Sequence, residues 1–192
     1  MPKPCIAITM GDPAGIGPEI CLDLLNDSEI SNLCSPIVFG DYSVLQSCAK
    51  KHIGATAQEI ICLNRAVYDK DGIVSFCSDS GLGSRIDANG DRKVECSKLD
   101  TALQNHDVSF ISMDIEGAEV PAINGAKKII EKLKPDLGVC VYHYPEQVAD
   151  VICAIDKIDQ EYSFFIRNYT GYLTETVVYA TQNRGDFDPN TS

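Results

Sequence analysis

The sequence predicts a doubly wound α/β sheet, mostly parallel, with an antiparallel C-terminal edge. Short apolar runs alternate with amphipathic stretches along almost the whole chain, and Gly, Pro, Asn or Asp mark most of the joints. The last two apolar runs, "YSFFIRNY" and "ETVVYA", follow one another with no helical stretch between them. That succession pairs them antiparallel and closes the sheet.

Taken in order, "CIAIT" is a short strand, and "GPEICLDLLND" has helical spacing, with Ile20, Leu24 and Leu25 on one side. "PIVFG" is strand-like, "YSVLQSCAKKHIG" is a helix closing on Gly54, and "EIICLNRAV" reads as a third strand. "GIVSFC" and "KVECS" flank the glycine-rich "SDSGLGSRIDANGD" and read as a hairpin or small insertion. A short helix around Leu99 to Gln104 precedes the buried strand "VSFISMD". "EVPAINGAKKIIEKL" is a helix, since Pro121 is tolerated in a first turn and Pro135 lies beyond the end. "LGVCVYH" is a strand and "PEQVADVICAIDKI" a helix. The expected organisation is one domain over 1–182, built from an N-terminal segment (1–60) and a second segment (61–182), with a polar tail at 183–192.

Composition narrows the function. At 192 residues, with 44% apolar and 23% charged residues, the chain can bury a core. Acidic residues exceed basic ones by 28 to 16, a formal charge of −12, which argues against a nucleic-acid partner. Nine scattered cysteines show no C-x-x-C spacing, so no metal site is expected from them. Most sit in apolar runs, as Cys62 and Cys140 do, and suit a reducing compartment. No window approaches about eighteen apolar residues, and the N-terminus lacks a long apolar stretch. The expectation is a cytoplasmic protein with no membrane partner.

In a doubly wound sheet, ligands bind beyond the carboxyl ends of the strands. The residues at those ends are Gly11 and Asp12, Asp41, Tyr68 and Asp69, Asp114 to Glu116, and His143. Gly11, Gly15 and Gly17 in "MGDPAGIGPE" allow a tight strand-to-helix turn and close backbone approach to a ligand. Their spacing is not that of a dinucleotide fingerprint, and Pro13 and Pro18 each remove an N–H donor. A purely structural turn is the competing reading. In "MDIEGAE", Asp114 ends a buried strand, where a carboxylate can bind a hydroxyl or metal or act as a base. Glu119 in the same stretch can be a first-turn charge favoured by the helix dipole. His143 ends the neighbouring strand, where it is either a site residue or a hydrogen-bonded structural one.

From Asn64 to Ala180 the chain resembles the FkbM-type S-adenosylmethionine-dependent methyltransferases. The resemblance rests on "NRAVYDKDGIVSF", "GLGSRI", "KLDTAL", "MDIEGAEVPAINGAKKII", "KPDLGVCVYHYPE" and "FFIRNYTGYLTETVVYA". It implies a Rossmann-like methyltransferase sheet with S-adenosylmethionine as cofactor. It also implies a small molecule or sugar, methylated on a hydroxyl, as substrate. Gly11, Asp12, Gly15, Gly17 and Asp41 would line the cofactor side, with Ser84 nearby by the same resemblance. Asp114, Glu116 and His143 would face the substrate, His143 or Asp114 serving as base. The family's usual first loop and second strand end are replaced here by "TMGDPAGIG" and "FGDYS", and Ser112 stands where a Lys is common.

The first sixty or so residues, "IAITMGDPAGIGPEI" and "SPIVFGDYSVLQSCAKKHIG", resemble the start of 4-hydroxythreonine-4-phosphate dehydrogenase. That family's metal-binding histidines lie further along a longer chain, and nothing after Asn64 matches them. A dehydrogenase-like fragment binding a phosphorylated metabolite is therefore the weaker alternative. An inactive fusion scaffold is the other.

Overall fold

The computed structural model describes residues 3–52, 62–77, 85–171 and 174–182. Eleven strands and seven helices alternate through them. β1 (Cys5–Thr9), α1 (Gly17–Asn26), α2 (Ser28–Leu33), β2 (Ser35–Phe39), α3 (Tyr42–His52) and β3 (Cys62–Leu63) come first. β4 (Ala66–Val67), β5 (Gly72–Cys77), β6 (Arg85–Ile86) and β7 (Arg92–Ser97) follow, then α4 (Leu99–Ala102) and β8 (Val108–Met113). The chain closes with α5 (Glu119–Gly125), α6 (Lys127–Leu133), β9 (Asp136–Cys140), α7 (Gln147–Asp156), β10 (Ser163–Asn168) and β11 (Thr176–Thr181).

The main sheet has seven strands in the order β10-β11-β9-β8-β1-β2-β3. β1 pairs parallel with β2 on one side and β8 on the other, so the first strand is interior to the sheet, beside the central β8. The chain winds outward through β2 and β3, then crosses back to begin again at β8. The switch point therefore falls between β1 and β8, where a crevice opens. β11 runs antiparallel to both β9 and β10, which gives the antiparallel C-terminal edge.

Alternation along the central strands builds two apolar layers. Cys5, Ala7, Ile37, Phe39, Ile111, Met113, Leu137 and Val139 pack with Ile123, Ile130, Val151 and Ile155 of α5, α6 and α7. On the opposite face Ile8 and Val38 pack with Cys21 and Leu22 of α1 and Leu45 and Ala49 of α3. Burying each large aliphatic side chain stabilises the fold by about 1.5–3 kcal/mol before conformational entropy is subtracted.

Several elements differ from the sequence reading. The expected third strand splits, because the Arg65 N–H donates to the Leu63 carbonyl at 2.7 Å and turns the chain between β3 and β4. β3 completes the main sheet, while β4 joins a second, four-stranded sheet of order β4-β7-β5-β6. The expected hairpin is present as β5 and β7 within that second sheet. The single helix expected over "EVPAINGAKKIIEKL" breaks at Ala126. The Asp100 carboxylate accepts there from the N–H groups of Lys128 and Ile129, at 3.0 and 2.9 Å, and caps α6 as a new helix. Helix α2 was not expected. Asp27 ends α1 and caps α2, accepting from the N–H groups of Glu29 and Ile30. The expected closure on Gly54 lies outside the described residues.

Candidate functional site

The glycine loop after β1 is shaped by packing. Gly11 has φ +74°, a left-handed conformation that side chains disfavour, and it lines the main cleft. Gly17 opens α1 so close to β1 that a Cβ would sit on the Met10 carbonyl. Gly15 closes a turn on the Asp12 carbonyl, and the Asp12 side chain accepts from the Ala14 N–H. Asp12, Gly15 and Gly17 are not among the residues lining the cleft. Ser84 lies outside the described residues.

That cleft, of about 1070 Å³, opens at the carboxyl ends of β1, β2, β3 and β8, and the second sheet covers it. Gly11, Phe39, Gly40, Asp41, Leu63 and Glu116 are among its walls. Asp41 caps α3: its Oδ1 accepts from the Ser43 N–H at 2.8 Å and the Ser43 hydroxyl at 2.6 Å. The Ser43 hydroxyl bond pulls the Asp41 carboxyl below its ordinary range; partial burial opposes this and the Ser43 and Val44 N–H groups reinforce it. Oδ2 takes no part in the cap.

A second cleft, of about 500 Å³, lies beside the first. Tyr68, Arg85, Pro121, His143 and Tyr144 line it, and Ile86 and Glu116 line both clefts. Glu116 adopts φ +56°, which is uncommon for a residue with a Cβ and here turns the chain between β8 and α5.

Behind this boundary three carboxylates surround one imidazole. His143 Nε2 is 3.2 Å from Asp114 Oδ1 and 3.4 Å from Glu119 Oε1, and Nδ1 is 3.5 Å from Glu116 Oε2. The His143 ring is 10% exposed. Burial lowers its pKa, but the Asp114 and Glu119 carboxylates outweigh that and bring it to about 10. Close as they are, His143 Nε2 and Asp114 Oδ1 are not aligned for a hydrogen bond, and both are buried without one. Burial also raises the Glu116 carboxyl, against the pull of His143.

Asp114, Glu119 and His143 are each held from behind. The Thr9 hydroxyl accepts from the Asp114 N–H at 2.9 Å, tying the ends of β1 and β8 together. The Tyr142 hydroxyl donates to Asp114 Oδ2 at 2.9 Å. Glu119 is fully buried; its Oε1 accepts from the Ile115 N–H at 2.9 Å and its Oε2 from Gln147 Nε2 at 2.5 Å. Gln147 Oε1 in turn accepts from the His143 N–H at 2.8 Å.

The structure thus brings Asp114, Glu116 and His143 together, as the sequence suggested. It adds Glu119, Tyr142 and Gln147. Glu119 is no surface charge at a helix start, and its buried carboxylate is the hub of the loop. Gln147 carried no sequence signal, because a single Gln early in a helix is indistinguishable from a solvated one until its partners are placed.

A doubly wound sheet with a cleft at its switch point and a polar cluster at the strand ends defines an α/β enzyme-type fold. Comparison makes it particular. The FkbM methyltransferase domain matches residues 22–175, so the chain belongs to that family. The match begins inside α1 and takes in β2 and α3, well before Asn64. The crystal structure of the methyltransferase FkbM from Methylobacillus flagellatus KT shares the fold, with a TM-score of 0.67 at 19% identity. The alignment covers 93% of this chain and 43% of that one.

Short stretches also match curated dehydrogenases. The chain is 56% identical over 45 residues to a 4-hydroxythreonine-4-phosphate dehydrogenase of Trichlorobacter lovleyi. It is 50% identical over 44 residues to that of Desulforapulum autotrophicum. Each match takes in 23% of this chain, and the chain spans only 13% of each of those proteins. Among the described residues, no helix is long and apolar enough to cross a membrane.

Proposed function

We propose that this chain transfers a methyl group from S-adenosylmethionine to a hydroxyl of a small molecule or sugar. The observation that carries the reading is the pair of adjoining clefts that share Glu116 and Ile86 at the switch point. A group-transfer enzyme needs two ligands held face to face, and two clefts with a common wall supply that.

The larger cleft suits the cofactor by its lining. Asp41 offers a carboxylate oxygen at the end of β2 for a ribose diol. Phe39, Leu63, Val67 and Phe76 supply apolar surface for a flat base. Gly11 brings bare backbone to the wall. When bound, S-adenosylmethionine supplies an electrophilic methyl group.

The protein's part is to position and to dry. The smaller cleft holds the acceptor with its hydroxyl toward Glu116, among the described residues the one carboxylate that lines both clefts. Glu116 takes the hydroxyl proton, a role that the sequence reading gave to His143 or Asp114. His143 holds Glu116 through Nδ1, and Asp114 holds His143 from behind. Fixing two reactants in line is the largest contribution available to such a transfer.

Incubation with methyl-tritiated S-adenosylmethionine and a panel of sugars and hydroxylated metabolites tests the reading. Label should pass to an acceptor with wild-type protein, and Glu116→Gln should abolish transfer while leaving the fold intact.

A further inference from the structure

We propose that Asp114, Glu119 and His143 form a binding site for one divalent first-row cation, of the Mn²⁺ or Zn²⁺ class. The site adds to the methyl-transfer reading and does not depend on it.

The geometry comes first. Asp114 Oδ1, Glu119 Oε1 and His143 Nε2 all lie within 4.8 Å of one another. The imidazole nitrogen is 3.2 Å from one oxygen and 3.4 Å from the other. Ligands held about 2.1 Å from one ion at tetrahedral or octahedral angles stand about 3.0–3.4 Å apart. Both nitrogen–oxygen separations therefore fall at the spacing of ligands on a shared ion.

An acidic pair alone would not be enough. The second observation is His143 itself: its ring is nine-tenths buried, and Nε2 points between the two carboxylates without a hydrogen bond. Asp114 Oδ1 faces it, also buried and without a hydrogen bond. Two buried polar atoms 3.2 Å apart yet misaligned for a hydrogen bond can both direct lone pairs at one cation.

The surroundings match the second shell of a metal site. Glu116 faces His143 Nδ1, so a bound cation would take the place of the Nε2 proton while the Nδ1 proton stays directed at Glu116. Tyr142 fixes Asp114 through the other carboxylate oxygen, leaving Oδ1 to face the ion. Gln147 fixes Glu119 through Oε2, while Oε1 accepts from the Ile115 N–H at 2.9 Å and would share its remaining lone pair with the ion. All three ligands thus have one atom anchored and another turned inward.

One imidazole with two carboxylates suits Mn²⁺ or Zn²⁺ better than Ca²⁺, which prefers six to eight oxygens. Three protein ligands leave room for water or another oxygen ligand. His143 also lines the smaller cleft, so the ion would stand behind the acceptor pocket.

The test uses the full chain stripped with chelator, without S-adenosylmethionine. Calorimetric titration with MnCl₂ and separately with ZnCl₂ should give one site per chain for at least one ion. His143→Gln and Asp114→Asn should each weaken it at least tenfold. Electron spin-echo spectroscopy of the Mn²⁺-loaded wild type should show nitrogen coupling from one imidazole, which requires no variant to fold. Absence of saturable binding of both ions at millimolar concentration would overturn the proposal. So would unchanged affinity in a folded His143→Gln variant, or bound Mn²⁺ without nitrogen coupling. Metal binding without methyl transfer would leave this site standing and remove the catalytic reading; the converse would separate them the other way.

Discussion

Gln147 clamps Glu119: its Nε2 donates to Oε2 at 2.5 Å, and both side chains are fully buried. The same amide reaches the His143 backbone through Oε1 at 2.8 Å. One side chain on α7 therefore ties the start of α5 to the loop that follows β9, and the cluster depends on it.

Gln147→Ala should destabilise the protein by about 3 kcal/mol, because it leaves a buried carboxylate oxygen and a backbone N–H without partners. Urea denaturation at neutral pH measures this. A loss below about 1 kcal/mol would mean that water replaces the amide without cost and that the clamp is incidental.

The two loop glycines should respond differently. Gly17→Ala drives a methyl into the Met10 carbonyl and should cost more than about 2 kcal/mol, seen as a large drop in melting temperature. At Gly15 the added Cβ would lie 3.4 Å from the Asp12 carbonyl, so Gly15→Ala should change stability by less than about 1 kcal/mol. Equal losses at the two positions would contradict the packing described for this turn.

Much of this architecture was legible in the residues. The short apolar runs "CIAIT" and "VSFISM" marked strands, and β1 and β8 do lie side by side. Strand-end placement singled out Asp114 and His143, which meet at 3.2 Å. What the chain did not disclose was tertiary. No local pattern says that Asp100 caps α6, that β4 leaves the main sheet, or that Glu119 turns inward to hold its own loop. Such features depend on which elements become neighbours, and periodicity is silent on that.

Asp41 supplies a pH test away from the cluster. Its carboxyl is held below the usual range in the folded chain, chiefly by the Ser43 hydroxyl. Its stabilising contribution is therefore complete above the unfolded value of about 3.9 and is lost as pH falls through the folded value. The stability difference between wild type and Asp41→Ala should be about 1 kcal/mol at pH 6 and should shrink on acidification toward pH 3. Urea midpoints that stay parallel across that range would show that the carboxylate charge plays no part in the cap.

Calorimetric titration of the wild-type chain with S-adenosylmethionine tests the central claim, that the cleft at the β1–β8 switch point is a methyl-donor site. One saturable site per chain is expected. Asp41→Ala should weaken it at least tenfold, or about 1.4 kcal/mol, while the protein remains folded. Absence of saturable binding at millimolar S-adenosylmethionine, or an affinity untouched by Asp41→Ala, would contradict it.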